Sequence, residues 1–203
     1  MSRLSVPFPI VISGPSGVGK TTLVSRLLES DPLLCESIST TTRPAREGEV
    51  AGQDYFFVAR PVFEEMKERE LIEWAEVHGE YYGTPRRFVE NELAAGRDVV
   101  LNIDIQGGNS VKMVFPQAAM VFILPPSFAT LEERMRLRGT TDVDELKTRL
   151  ANARNELTAS IHYHYWVVND SLDRAVAQLG SIVEAERARR DRHPSDYMGI
   201  YDE

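Results

Sequence analysis

Gly14, Pro15, Ser16, Gly17, Val18, Gly19, Lys20 and Thr21 fit the spacing GxxxxGK[ST], a glycine-rich turn that ends in a cation and a hydroxyl. Glycines let the backbone curl and approach a ligand without Cβ clashes, so successive amide hydrogens and the start of the next helix point at one polyphosphate. Lys20 is then expected to reach the terminal phosphates and the Thr21 hydroxyl to hold magnesium. With glycine near 7% of average usage, four fixed positions recur by chance in roughly one chain in a hundred or fewer. The alternative is a glycine turn that merely caps a helix. The motif specifies nucleotide phosphates and leaves the reaction open.

A second anion site must be built without those amides, and Arg43 and Arg46, three apart in TTTRPAREGE, supply planar donor forks on a turn stiffened by Pro44. Tyr55 and Tyr82 fall in the same stretch and carry hydroxyls able to donate. A solvent-facing basic turn is the plainer reading of the two arginines. Glu73, within LIEWAE, is the third candidate. Guanine presents adjacent donors at N1 and N2, which a carboxylate accepts as a pair, whereas adenine has no such pair. The same glutamate on a strand also suits a surface position.

The elements that must position these groups are written in the hydrophobic pattern. Short apolar runs at Ile10–Ser13, Val99–Ile103, Met120–Leu124 and Trp166–Val168 alternate with helical stretches, the first of them from Thr21 to Leu28. Such alternation predicts an α/β fold, a parallel sheet covered on both faces with ligands beyond the strands' carboxyl ends. Two stretches interrupt it. Residues from about 37 to 83 carry turn signals and β-rich pieces (Asp54–Val58 and Leu71–Trp74) around a helical patch at Val62–Arg69, and read as an inserted, partly β lobe. Thr84 is expected to cap a helix with Pro85 at its first position and Gly96 at its end. Residues from about 129 to 150 read as two arginine-loaded helices hinged at Gly139, the second opened by Asp142 and Glu145 as a capping box, together a helical lid. The remaining segments, about 8–36, 84–128 and 151–192, form the core of one domain. A last helix is expected from about Leu172 to Arg192 with solvated arginines, and a frayed tail over 193–203.

The 203 residues suffice for one sizeable core, and a net charge of −8 argues against nucleic acid or a membrane surface as partner. Any anion must therefore meet a local cluster, and arginine outnumbers lysine nineteen to four. Cys35 stands alone, which excludes an intrachain disulfide and reads as a core thiol in a reducing compartment. The opening residues show neither a signal peptide nor a membrane span, so the cytoplasm is the expected location. His162 and His164 are two apart on an expected helix and make a poor metal pair. Trp74 and Trp166 read as core residues.

Taken together, GPSGVGKTT, STTTRPAREGEVAGQDYFF, LIEWAEVHGEYYGT, LNIDIQGG, RLRGTT and WVVNDSL resemble the guanylate kinase family, from Ile10 to about Leu179. The resemblance implies a P-loop NTPase three-layer fold with a core, a GMP-binding lobe and a lid, with ATP and GMP as substrates and Mg2+ as cofactor. It implies that Arg43, Arg46, Tyr55 and Tyr82 hold the GMP phosphate, and that Ser39, Glu73, Thr84 and Asp104 contact guanine. On the ATP side it implies the loop from Gly14 to Thr22, with Lys20 and with Thr21 on the metal, the arginines Arg134, Arg138 and Arg149 on the phosphates, and Asn169 near adenine. Lys20, Arg43 and those three arginines are the candidate catalytic residues. One position departs from the pattern: Asn102 stands in LNIDIQG where the family usually carries an acid. Three other readings compete. Asp104–Gly107 matches the DxxG element of GTP-hydrolysing switches, although an NKxD run is missing, and guanylate-kinase-like binding modules share the fold but degrade the glycine loop, which is intact here. A related kinase with another phosphorylated acceptor is the third.

Overall fold

The computed structural model describes residues 5–77, 79–137 and 142–193. Strand β1 (Pro9–Ser13) lies at the centre of a five-stranded parallel sheet, fully buried along its length. Around it are β2 (Leu34–Glu36), β7 (Asp98–Asn102), β8 (Ala119–Leu124) and β9 (Tyr165–Val168), in the order β2-β7-β1-β8-β9. Strand side chains alternate between faces, so each strand feeds two cores. Ile10 and Ile12 pack with Leu23, Leu27, Ile123 and Leu179 on one side. Val11 packs with Leu101, Val111 and Phe122 on the other. Helices α1 (Lys20–Ser30) and α7 (Leu172–Arg187) cover the first face, and α3 (Arg86–Ala94) and α4 (Ile105–Val114) the second, completing three layers. All five strands end on one edge, and the glycine turn leaves β1 there, as expected of a parallel sheet.

The interruption forms a second sheet of β3 (Thr40–Thr41), β4 (Phe56–Phe57), β5 (Leu71–Val77) and β6 (Glu80–Pro85), ordered β4-β3-β6-β5, with α2 (Arg60–Met66) between β4 and β5. Two chain crossings join it to the core, 37–39 going out and Pro85 into α3 returning. Helices α5 (Phe128–Leu137) and α6 (Val143–Thr158) follow β8, and the Gly139 hinge lies outside the described residues, as does the tail from 194 on. Asp142 caps α6, its carboxylate accepting the amides of Asp144 and Glu145 at 2.8 and 2.9 Å. The helix then runs unbroken past residue 150, where the sequence pattern expected lid to give way to core.

Several expectations are corrected. Thr84 caps no helix: it pairs with Glu73 inside the second sheet, its hydroxyl donates to that carboxylate, and Pro85 takes the N-cap position of α3. The β-rich piece at Asp54–Val58 shrinks to Phe56–Phe57 because the Asp54 carboxylate turns back to accept the Val50 amide. Edge strand β2 was not expected, being three residues of mixed polarity, and Cys35 sits on it half-buried, its thiol pushed up to about 11 by burial and by Glu92. His162 and His164 flank a turn rather than sharing a helix; the His164 Nδ1 accepts the Met120 amide. Trp74 and Trp166 are exposed, Trp74 roofed by the Lys67 ammonium 3.9 Å from its ring and Trp166 held by an indole N–H donated to the Ser160 carbonyl.

The last helix ends at Arg187, and two of the arginines read as solvated are ion-paired and turned inward. Arg192, 5% exposed, lies on Phe8 and pairs with the buried Glu186, which also accepts the Tyr165 hydroxyl at 2.6 Å. Arg187 reaches the wholly buried Asp98 at 2.9 Å and Asp31 at 2.6 Å, and Asp98 also accepts the Phe8 amide at 3.0 Å. These links fasten the helix to the start of β1 and β7. Removing one partner of a buried pair leaves an uncompensated charge, at a cost of about 3–5 kcal/mol. Arg187→Ala is therefore expected to lower unfolding stability by about that much, read as a fall in the urea midpoint with little change in its slope.

Candidate active site

The phosphate loop is held open by its surroundings. Gly14 adopts φ +150°, and a Cβ there would come within 2.5 Å of the Ile123 carbonyl oxygen; Gly19 adopts φ +99°, with Asn169 Nδ2 only 2.6 Å from where its Cβ would be. Neither position admits a side chain without displacing backbone or the buried amide. Asn169 donates from Nδ2 to the Val18 carbonyl at 2.8 Å, and Arg134 donates to the carbonyls of Asn169 and Val18 at 3.0 and 3.3 Å. Arg134 and Asn169 thus brace the loop from beneath, and with Gly17, Gly19 and Thr22 they line a cavity of about 360 Å³. Lys20 donates to the Gly14 carbonyl at 2.5 Å, folded back along the loop. Arg149, on α6, donates to the Ser16 hydroxyl at 3.2 Å and faces Glu145 at 3.6 Å. Arg138 lies outside the described residues.

In the inserted sheet, Arg43 is held in a bidentate pair with Glu49 at 3.0 and 2.7 Å, over the rings of Tyr55 and Phe57. Tyr55 and Tyr82 meet edge to face, with centroids 5.9 Å apart. Arg43, Tyr55 and Tyr82 are therefore gathered as the spacing suggested. Arg46 is only partly so: its backbone amide donates to Glu49 at 2.7 Å and the residue is exposed.

Glu73 is half-buried rather than on the open surface, with Thr84 Oγ1 donating to Oε1 at 2.6 Å. Burial first, and the Asp104 charge after it, push its carboxyl above the usual range, while the Thr84 hydrogen bond works the other way. Gly107 makes room for this acid, since a Cβ there would fall 3.0 Å from Glu73 Oε2. Asp104 caps α4 by accepting the Gly107 amide at 2.8 Å, so the DxxG spacing is that of a helix cap. Ser39 and Tyr55 line a cavity of about 550 Å³ together with Thr21, Glu36 and Asn102.

Three carboxylates escaped the sequence reading. Glu49 fills the Arg43 fork, and that pairing, with the Arg46 amide, holds its carboxyl below the usual range. Glu156, on α6, has its Oε2 buried without a hydrogen-bond partner; burial raises its pKa and the Lys20 charge opposes the shift. Glu36, ending β2, is pushed above the usual carboxylate range by burial and shares a cavity lining with Asn102. Glu49, three residues after Arg46 in REGE, carried a usable signal, because an acid near two arginines must go somewhere. The other two are brought in by distant chain, from α6 and from an edge strand.

Comparison with known proteins extends these findings. The family model described as guanylate kinase matches residues 7–186. The guanylate kinase of Syntrophomonas wolfei is 50% identical over 190 residues, covering 93% of this chain and 96% of that protein. The guanylate kinase of Caldanaerobacter subterraneus is 47% identical over 195 residues, covering 96% and 95%. A crystal structure of guanylate kinase from Anaplasma phagocytophilum superposes with a TM-score of 0.77 at 32% identity, over 98% of this chain and 95% of that one. A shikimate kinase from Bacteroides thetaiotaomicron, at 18% identity and a TM-score of 0.50, shares the fold alone. Because the match runs through the glycine loop and the inserted sheet alike, and relatives correspond from end to end, the chain belongs to the guanylate kinase family.

Proposed function

We propose that this chain transfers the terminal phosphoryl group of ATP to GMP, giving ADP and GDP. The observation that supports the reading is the 550 Å³ cavity lined both by Thr21, at the head of the phosphate-loop helix, and by Ser39 and Tyr55, which immediately precede β3 and β4 of the inserted sheet. The phosphate-loop helix and the inserted lobe thus border one space.

The loop amides from Gly14 to Thr21 receive the ATP phosphates, and Lys20 swings from the Gly14 carbonyl to meet them. Arg134 and Asn169 keep the loop in shape and border the cavity where the nucleoside extends. Arg43, Tyr55 and Tyr82 take the GMP phosphate, with Arg46 joining from the exposed turn. Glu73 accepts the two guanine N–H groups, and Ser39, Thr84 and Asp104 complete that contact. The cation that accompanies ATP suits Thr21 Oγ1 in the lining of that cavity, because magnesium takes few protein ligands and completes its shell with water and phosphate. When bound it neutralises charge on the transferred phosphoryl group.

A GMP phosphate oxygen forms the new bond to phosphorus as the bond to the ADP oxygen breaks. The acceptor is already an anion near neutral pH, so no side chain need remove a proton, and catalysis rests on positioning and charge. The Arg43 fork is occupied by Glu49 beforehand, so the GMP phosphate displaces a carboxylate already in place.

The decisive experiment is a coupled assay of ADP release from ATP and magnesium with GMP, dGMP, AMP, CMP and UMP in turn; a response confined to guanine acceptors is expected, and release without any acceptor would overturn the reading. Lys20→Ala is expected to lower kcat by about 10²–10³-fold, the scale of one lost transition-state donor. Glu73→Gln is expected to raise KM for GMP by about 10–100-fold, the worth of a paired base contact, and to erode discrimination against AMP. Guanine needs the ionised carboxylate and burial raises the Glu73 pKa, so KM for GMP should climb as pH falls toward that value. The GMP phosphate titrates near about 6 in both proteins, so subtracting the Glu73→Gln profile isolates the carboxylate's share.

A further inference from the structure

Between the two anion sites lies a carboxylate that neither uses. Glu36 is the last residue of β2 and Asn102 the last of β7; the strands run parallel with Glu36 opposite Val100, and the Ser37 amide donates to the Val100 carbonyl at 2.8 Å. Their carboxyl ends therefore open together into the 550 Å³ cavity, where both side chains join Thr21 in the lining. Asn102 is also in register with Ile12 of β1, two residues before the phosphate loop. The other acid of that lining, Asp54, is exposed and accepts the Val50 amide at 2.7 Å, so it is committed to its own turn.

Glu36 is placed differently. It is half-buried, and desolvation opposes its charge. Its neighbour in the cavity lining, at the end of the adjoining strand, is the neutral amide of Asn102. An acid kept in such a place, facing a cavity that must also admit anionic phosphates, repels the substrates unless a cation lies between them. The Thr21 hydroxyl in the same wall is an oxygen donor for that cation.

We propose that Glu36 is a positioning residue for the divalent cation that accompanies ATP. Its carboxylate, beside the Asn102 amide, accepts hydrogen bonds from the cation's water shell and supplies the negative charge that Asn102 lacks. Outer-shell partners of this kind change metal affinity by about 10–100-fold when removed. The proposal rests on the phosphoryl-transfer reading and adds a residue to it.

The test measures metal binding directly. Free Mn2+ is followed by electron paramagnetic resonance as it titrates the full chain with saturating β,γ-imido ATP. Glu36→Gln is expected to weaken Mn2+ binding by about tenfold or more, while affinity for the analogue in EDTA stays that of the parent. Adding Asn102→Asp to Glu36→Gln is expected to restore most of the loss, because the charge returns to the same cavity wall; a merely structural role gives no such rescue. Mn2+ affinity unchanged in Glu36→Gln, an equal loss of analogue affinity without metal, or no rescue would each overturn the proposal. Should Glu36→Gln fail to fold, Asn102→Asp alone decides: a second acid beside Glu36 tightens Mn2+ binding if the wall faces the cation, and unchanged binding overturns the proposal. A parent chain that releases no ADP with GMP defeats the kinase reading through a different measurement.

Discussion

One electrostatic constraint governs the region of the glycine loop and the inserted sheet: a lysine, several arginines and loop N–H groups are brought close together and must be kept paired. Unpaired donors in a partly dry crevice are costly, and like charges brought together repel. The chain meets the constraint with its own acids. Glu49 occupies the Arg43 fork, presenting to it the kind of oxygen a phosphate would present, and the Glu156 carboxyl feels the Lys20 charge beside the phosphate loop. The site is thereby stable when empty, and substrate binding becomes an exchange of one oxyanion for another, with a smaller net gain than contacts to bare cations would give.

The same constraint explains how the scaffold is divided. Donor-side groups come from the parallel sheet, whose central strand is buried on both faces and leaves its loop little freedom: carbonyls of Val18 and Asn169 are pinned by Asn169 and Arg134, and two glycines have no room for a side chain. The smaller sheet gathers arginine and tyrosine side chains instead, Arg43 just after β3, Tyr55 just before β4 and Tyr82 on β6. A nest of backbone amides recognises any polyphosphate. A cluster of side chains with a carboxylate above it is selective, because Glu73 is set by Thr84 and given space by Gly107.

Much of this was legible in the sequence, and the parts that were not have a common cause. The four strands with strong apolar runs, the glycine loop, and the gathering of Arg43, Tyr55 and Tyr82 follow from local pattern, which chain neighbours determine. Pattern failed where a distant partner outweighed the local preference. Thr84 has the makings of an N-cap but gives its hydroxyl to Glu73, eleven residues back. Arg187 and Arg192 lie in a run that reads as a solvated face, yet Asp98 and Glu186 draw them inward. Strand β2 is too short and too polar to announce itself, so the carboxylate at its end was invisible until β7 was beside it.

The two crossings between the sheets have a mechanical consequence. A body fastened to another at two separated points can still turn about the line through them, while sliding and twisting strain both fastenings. The chain leaves the core through 37–39 and re-enters at Pro85, and these spans form the rim beside which Ser39 and Thr84 sit. That turn is opposed at the β5 edge, where Ile72 packs beside Val89 and Val111 of the core helices and Gly107 of α4 closes on Glu73. The Glu73 carboxylate is therefore positioned by both bodies at once, by Thr84 of its own sheet and by α4 of the core, whereas Arg43 is paired wholly within the lobe, by Glu49.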